Sequence, residues 1–401
     1  MGINNDFGRR GFLKSSFLGA AGALAGVSAY GRTGKSVVKE PAVIRRKLGN
    51  TDIEIPVVSF GVMRSDNAGL VKSAFDMGFV HFDTAHGYQE GKNETMLGEI
   101  FRDKPRSSFV LATKVAPDDV SRQTGELGPG STKENILTKF ELSLKRLQLS
   151  YVDILYFHGV SNRNTILAPQ MLDAFSELKK QGKIRYIGLS THQNEAEVIQ
   201  AAIDSNFYNV VLTAINFKHE NASLIKEKIA MAAQKGIGIV AMKTMAGGFL
   251  DKKRTQPVNC TAALKWVLQD PNISTSIPGI VTYEQMNQNF SVMENLEFTE
   301  KEKSDLKEAG LVSGLYCDGC SQCLQQCIKK LPVNEMMRAY MYTYGYRQYE
   351  NALTVLEHHN IAGNPCGDCR ECAVNCPKGF DVADRIADVS RLSLTPREFL
   401  V

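Results

Sequence analysis

The chain has 401 residues, 43% of them hydrophobic and 22% charged, with a formal net charge of +4. That balance carries no nucleic-acid footprint, and the length leaves room for one large domain of roughly 250 residues and a small second one. No run of about 18 apolar residues occurs, so no membrane-spanning helix is expected.

At the N-terminus, Arg9-Arg10-Gly11-Phe12-Leu13-Lys14 precedes a charge-free, Gly/Ala-rich stretch from Ser15 to Gly31. The run resembles a twin-arginine (Tat) export signal of pattern S/T-R-R-x-F-L-K, departing from it only at Gly8. Val27-Ser28-Ala29 offers a small-residue cleavage site, which makes residues 1–29 the expected signal peptide and Tyr30 the new N-terminus. The resemblance implies the Tat export machinery as a partner and a periplasmic or otherwise exported location. A basic disordered leader is the alternative.

Beyond the leader, short apolar strands alternate with helical patterns. Val57 to Phe60, Val80 to Phe82, Val110 to Thr113, Val152 to Phe157, Ile184 to Leu189, Val210 to Ile215, Ile237 to Met242 and Thr275 to Ile277 read as eight buried strands. Among the intervening helices, Ser131 to Leu147 has Ser131 and Glu134 as a capping box and Ile136, Phe140, Leu144 and Leu147 on one face. Eight βα units over about 240 residues predict an α/β chain whose residues 42–300 form a parallel (β/α)8 TIM barrel. Arg45 to Pro56, turning at Gly49-Asn50-Thr51-Asp52, predicts a hairpin across the bottom of that barrel.

In such a barrel the chemistry lies at the C-terminal ends of the strands. Asp83, Lys114 and His158 end the second, third and fourth predicted strands, and Tyr88 follows in the loop after Asp83. Four such groups aimed at one mouth make a proton-transfer site. The motifs FDTAHGY at 82 to 88, ATK at 112 to 114 and ILYFH at 154 to 158 resemble those of the aldo-keto reductase family, over roughly residues 42 to 300. RYIGLS at 185 to 190, AIN at 214 to 216 and IPG at 277 to 279 extend the likeness.

The resemblance implies a small-molecule carbonyl or alcohol substrate, NAD(P)H as cofactor, and Tyr88 as the group that protonates the carbonyl as hydride arrives. A phenol with a pKa near 10 needs a nearby cation for that task. Lys114 is expected to supply the charge, Asp83 to hold Lys114, and His158 to orient and polarise the carbonyl. The positions matching the family's cofactor contacts are Ser190, Asn216, Gly279 and Asn289. Lys243, with Gly247-Gly248 beyond it, is placed to meet a pyrophosphate. No Arg or Lys lies between Ile277 and Glu300, where family members that prefer NADPH anchor its extra phosphate. His86 and His192 read as loop histidines, with substrate contact as the alternative.

Eight of the nine cysteines fall into two frames, Cys317, Cys320, Cys323, Cys327 and Cys366, Cys369, Cys372, Cys376. Each reads C-x2-C-x2-C-x3-C, the run that wraps a 4Fe-4S cluster and sends its fourth thiolate to the neighbouring cluster. A disulfide framework or a zinc site explains neither the spacing nor its repetition. Two 4Fe-4S clusters close together are therefore expected, while Cys260 reads as a core thiol.

Helical patterns from Val333 to His359, and the stripe Val382, Ile386, Val389 and Leu392, make residues 310–401 a small α-helical ferredoxin-like iron–sulfur domain. The Met/Tyr run from Met336 to Tyr349 reads as its core, with a docking surface as the alternative. Glu300 to Glu308 reads as a solvated helix face ahead of a linker at Ala309 to Gly314.

Taken together, the sequence predicts an exported oxidoreductase that interconverts a carbonyl and an alcohol by hydride transfer via a nicotinamide. Two clusters would pass electrons to or from a redox partner protein. No G-x-G-x-x-G flavin motif is present to convert hydride into single electrons. The alternative is an iron–sulfur carrier or accessory protein whose barrel binds without catalysing.

Overall fold

The computed structural model describes residues 43–400 apart from 122–123, 252, 312–313, 318 and 370, so the expected signal peptide at 1–29 lies outside the described residues. The first two strands, β1 (Arg45–Lys47) and β2 (Glu54–Pro56), pair antiparallel as the expected hairpin. Gly49 turns it at φ +56°, and a Cβ there would stand 2.3 Å from the backbone nitrogen of Gly238. No side chain fits so close to the barrel floor.

Eight further strands follow: β3 (Phe60–Gly61), β4 (His81–Asp83), β5 (Val110–Val115), β6 (Val152–Phe157), β7 (Ile184–Thr191), β8 (Val210–Ala214), β9 (Gly238–Met242) and β10 (Thr275–Ser276). They lie side by side in chain order, and their successive pairs are parallel. Parallel bridges from Val58 to Ser276 and from Gly61 to Gly279 join the two edges, so the sheet curls into a barrel. Burial on both faces explains why the strands read as continuous apolar runs.

Side chains alternate between the two faces with period two. Ala112, Ile154, Tyr156, Val210, Leu212 and Val240 fill the interior, closed from below by Leu48, Ile53 and Ile55 of the hairpin. Leu111, Leu155, Phe157, Val211 and Ile239 point outward into the layer shared with the helices. At Gly188 the inner layer requires a missing side chain, since a Cβ would stand 2.5 Å from the Tyr156 ring.

Two details differ from expectation. The helix Lys133–Leu147 is capped by Thr132, whose side chain accepts from the Asn135 N–H at 3.2 Å. Ser131 donates instead to the Asp119 carbonyl. In the helix Glu300–Leu311, which consumes half of the expected linker, Glu302 is buried and paired with Lys265 at 2.9 Å, while Glu300 and Lys303 remain solvated.

After residue 310 a second core forms from the helices Val333–Tyr340, Tyr349–His358 and Val382–Ser390. Met336, Met337, Tyr340, Leu356, Ile386 and Val389 are its buried centre, and Leu392 packs against it. The Met/Tyr run is therefore mostly core, with Tyr344 and Tyr349 its exposed members. Met341–Tyr346 winds as a π-helix between the first two of these helices, an irregularity often found at functional sites. Among the described residues no helix is long and apolar enough to cross a membrane.

This C-terminal module sits on the barrel mouth. Gln193, just after β7, donates to Glu335 at 3.4 Å, and Arg64 of the rim lies 5.1 Å from the centre of the Tyr346 ring. Tyr316 packs so closely on Gly247 that a Cβ there would come within 3.0 Å of it.

Candidate active site

The inward alternation that fills the barrel also builds the site. Val110 and Ala112 pack toward the interior cluster, and Lys114 takes the next inward position, at the rim. Register brings its neighbours level: Asp83 of β4 pairs with Ala112, and Lys114 pairs with Tyr156. His158 follows β6 directly, its N–H bonded to the Val115 carbonyl at 2.8 Å. Thus Asp83, Lys114 and His158 share one edge of the barrel, and the loop after β4 swings Tyr88 over them.

Lys114 donates to Asp83 Oδ1 and, at 2.7 Å, to the Thr84 carbonyl. Both charged side chains are almost wholly buried. The Lys114 Nζ lies 5.1 Å from the centre of the Tyr88 ring, and that ring meets the His158 ring edge-on at 5.9 Å between centroids. The four expected residues are therefore brought together. Neither the Tyr88 hydroxyl nor the His158 ring has a hydrogen-bond partner among the described residues. Behind the pair, Thr113 donates to the buried Glu94 at 2.7 Å, which Arg146 meets at 3.3 Å, and Thr84 donates to Asn93 at 2.6 Å.

Burial is the dominant electrostatic influence here. It pushes Lys114 down and Asp83 up, and each holds the other's charge against that pressure. It raises the Tyr88 phenol well above 10, with Asp83 adding to the shift; the cation that pulls it back is Arg338 of the C-terminal module, not Lys114. The phenol is thus held protonated, the form a proton donor needs. Burial likewise lowers His158 to about 3 and keeps its imidazole neutral.

Below the site, His81 is fully buried, with Nδ1 3.0 Å from Ser59 Oγ, and its pKa falls to about 4 for the same reason. These shifts set a sign for acid stability. Between about pH 6.5 and 4 the unfolded chain takes up a proton at His81 that the folded chain refuses, so stability falls as pH falls, by roughly 1.4 kcal/mol per unit. His158 acts in the same direction. Chemical denaturation at pH 7.5, 6 and 5 should show a declining midpoint, whereas a flat profile would contradict the neutral burial of His81.

The residues expected to hold a nicotinamide are less united. Ser190 Oγ accepts from the Gly159 N–H at 3.0 Å and so ties down the loop that follows His158. Asn216 has its amide committed, donating to the Lys243 carbonyl at 3.2 Å and accepting from the Lys218 N–H at 2.9 Å. Gly279 helps close the barrel beside Arg64, and Asn289 is buried on the helix Tyr283–Glu294.

Asn216 and Lys243 of that set line a cavity of about 60 Å³ at the barrel mouth. Lys218 lines the same cavity, and Tyr316, Cys317 and Lys378 close it from the C-terminal module.

Some mouth residues carry no sequence signal. His192 enters the mouth and stands 3.3 Å from Arg338, while His86 turns away to Ser143 at 3.0 Å. Arg338 and Tyr342 lie beyond 300 in the chain, and only the fold reveals that they cover a site built from residues 83 to 158.

The fold brings cysteines of the two frames together. Cys317, Cys320 and Cys323 share a small apolar hollow with Cys376 of the second frame. Cys366 lies within electrostatic reach of Cys369, Cys372 and, from the first frame, Cys327, which also reaches Cys323. Burial and the neighbouring thiols push Cys323 up to about 11, and the Gly319 N–H points at Cys317 Sγ from 3.3 Å. Among the described residues no three His, Cys, Asp or Glu side chains close around a single metal ion. A cubane holds its thiolates farther apart than one ion does, and the exchange of fourth cysteines is the arrangement that two adjacent 4Fe-4S clusters require. The donor set fits that group. Cys260 is half-buried at the start of the helix Cys260–Leu268, its thiol raised by burial.

Comparison with known proteins points the same way for the barrel. A model of the aldo/keto reductase family matches residues 59–261. A probable aldo-keto reductase 1 of Glycine max is 24% identical over 326 residues, covering 68% of this chain and 92% of that protein. L-galactose dehydrogenase of Arabidopsis thaliana is 24% identical over 302 residues, 66% of this chain and 92% of its own. The holo form of aldo-keto reductase AKR11C1 from Bacillus halodurans shares the fold at a TM-score of 0.54 and 22% identity, covering 68% of this chain and 98% of that one. A family match over half the sequence, on a barrel that relatives share over nearly their whole length, places this chain in the aldo/keto reductase family and makes it an oxidoreductase.

Proposed function

We propose that the protein is an exported enzyme that interconverts a carbonyl compound and an alcohol at the Asp83, Tyr88, Lys114 and His158 rim, with electrons carried by two 4Fe-4S clusters in the C-terminal module. The observation that carries the reading is the Tyr88 hydroxyl and His158 ring, without hydrogen-bond partners among the described residues, above a buried Lys114–Asp83 pair. A carbonyl oxygen supplies the missing partner for both.

Reduction of one carbonyl consumes two electrons, which the two clusters would supply one each, and two protons, of which the one added at carbon comes from solvent and the one added at oxygen from Tyr88. Tyr88 delivers a proton to the oxygen, and the neutral His158 donates a hydrogen bond that orients and polarises the carbonyl. Lys114, fixed by Asp83, lies against the Tyr88 ring and fixes its position.

Cys317, Cys320, Cys323 and Cys376 would hold one cluster, and Cys366, Cys369, Cys372 and Cys327 the other. Each cluster stores and passes one electron at a time. Cys317 of the first set borders the cavity at the barrel mouth, while the exposed Cys372 puts the second toward solvent and toward a redox partner protein. The aldo/keto reductase family typically binds NAD(P)H. The clusters are the electron source built into this chain. The twin-arginine run supports export to the periplasm after the clusters are in place.

The committed Asn216 amide and the small cavity favour a second reading, an accessory electron carrier whose barrel does not catalyse. The two readings separate when the anaerobically purified full chain is offered a panel of aldehydes and ketones with NADH, NADPH or a reduced viologen as donor. Alcohol formation is the expected result. No alcohol from any pairing would leave the accessory reading standing.

A further inference from the structure

Arg338 is delivered into the mouth by the helix Val333–Tyr340, and about three-quarters of its side chain is buried. One terminal nitrogen contacts Glu335, the other lies 3.3 Å from His192 Nε2, and the Tyr342 ring lies 5.9 Å from the guanidinium. Its Nε is buried and has no hydrogen-bond partner among the described residues.

The guanidinium acts electrostatically on Tyr88, His158, His192 and Lys243, which come from four different strand ends. Its 3.3 Å approach to His192 puts it at the barrel mouth. Lys243 is a second cation on the same side. Its Nζ has no hydrogen bond or ion pair among the described residues, and the acids within its reach are Glu195, Glu335 and the Cys317 thiol. Of these, Glu335 is already engaged by Arg338.

We propose that Arg338 is the substrate-recognition residue of the barrel and that the carbonyl substrate bears a carboxylate beside its carbonyl, as a 2-oxo acid does. The inference rests on the carbonyl reading of the site. With the carbonyl oxygen on Tyr88 and His158, the adjacent carboxylate falls toward the unused Nε of Arg338 and toward Lys243. Planar, charge-assisted pairing with a carboxylate is the interaction that guanidinium geometry favours. Arg338 belongs to the module that bears the cysteines, so recognition of the substrate and seating of the electron carrier depend on one helix.

The test is calorimetric binding of oxamate, an unreactive 2-oxo acid analogue, and of its neutral counterpart oxamide, to the anaerobically purified full chain. Wild type should bind oxamate at least about tenfold more tightly than oxamide, and Arg338→Met should lose roughly a hundredfold of the oxamate affinity. Equal binding of the two probes, or undiminished oxamate binding by Arg338→Met, would overturn the proposal. Should Arg338→Met unfold or lose its iron, Arg338→Lys decides: it keeps the charge without the fork, so affinity at least tenfold weaker supports the role and unchanged affinity refutes it.

Because oxamate needs no turnover, the outcomes separate. Arg338-dependent oxamate binding without alcohol formation from any carbonyl defeats the catalytic reading alone. Aldehyde reduction without oxamate binding defeats this inference alone.

Discussion

Replacing Tyr88 by Phe should lower carbonyl turnover by about 10²- to 10⁴-fold, the range typical for loss of a positioned proton donor. The substitution removes one hydroxyl that has no hydrogen-bond partner among the described residues, and keeps the ring that packs against His158 and Lys114. Folding and iron content should therefore match the wild type. The loss should fall on kcat, since the proton is transferred in the transition state, with KM little changed. Turnover within a few-fold of wild type would remove Tyr88 from the chemistry, and the accessory reading would then become the better one.

Asp83→Ala has the largest expected effect on stability. Lys114 and Asp83 are both almost wholly buried, and Lys114 has only the Thr84 carbonyl as another acceptor. Removing the carboxylate strands an ammonium inside the barrel, which costs about 3–5 kcal/mol. Removing both charges should cost far less, because a buried ion pair replaced by apolar groups of similar volume is often neutral. Asp83→Leu combined with Lys114→Met should thus recover most of the stability lost by Asp83→Ala, with catalysis still impaired. Equilibrium unfolding of the three proteins measures this. A double variant as unstable as the single one would mean that the pair's hydrogen-bond geometry, not its stranded charge, holds the rim.

Much of this architecture was legible in the sequence because period-two burial leaves a continuous trace. Strands such as β6 and β8 carry apolar runs, and on β5 the inward positions Ala112 and Lys114 climb to the rim. Tyr88 was legible through its motif, not through periodicity. The hairpin was legible because a tight turn with a left-handed residue needs Gly49.

What escaped the sequence depends on distant contacts. Nothing local marks Arg338 as a neighbour of His158, since 180 residues of chain separate them and only docking of the module brings them together. The cation expected to act on Tyr88 was Lys114, because both belong to one family motif set. In the fold, Lys114 faces the ring and spends its donors on Asp83 and Thr84, leaving Arg338 to act on the hydroxyl. The cofactor contacts were read position by position from the resemblance. In the fold Asn216 and Ser190 make local hydrogen bonds. The spacing predicts an exchange of Cys327 and Cys376 between frames; in the fold Cys376 shares a hollow with Cys317, Cys320 and Cys323, while Cys327 lies within electrostatic reach of both Cys323 and Cys366.

The central claim is that electrons on the C-terminal cysteines and a carbonyl at Tyr88 belong to one reaction. It is tested most directly by reducing the anaerobic full chain with dithionite, removing the excess, and adding a carbonyl compound while following the visible iron–sulfur absorption. The bleached clusters should recover their colour in proportion to alcohol formed, and Tyr88→Phe should slow the recovery sharply. Clusters that stay reduced in the presence of the carbonyl, or that reoxidise equally fast in Tyr88→Phe, would contradict it.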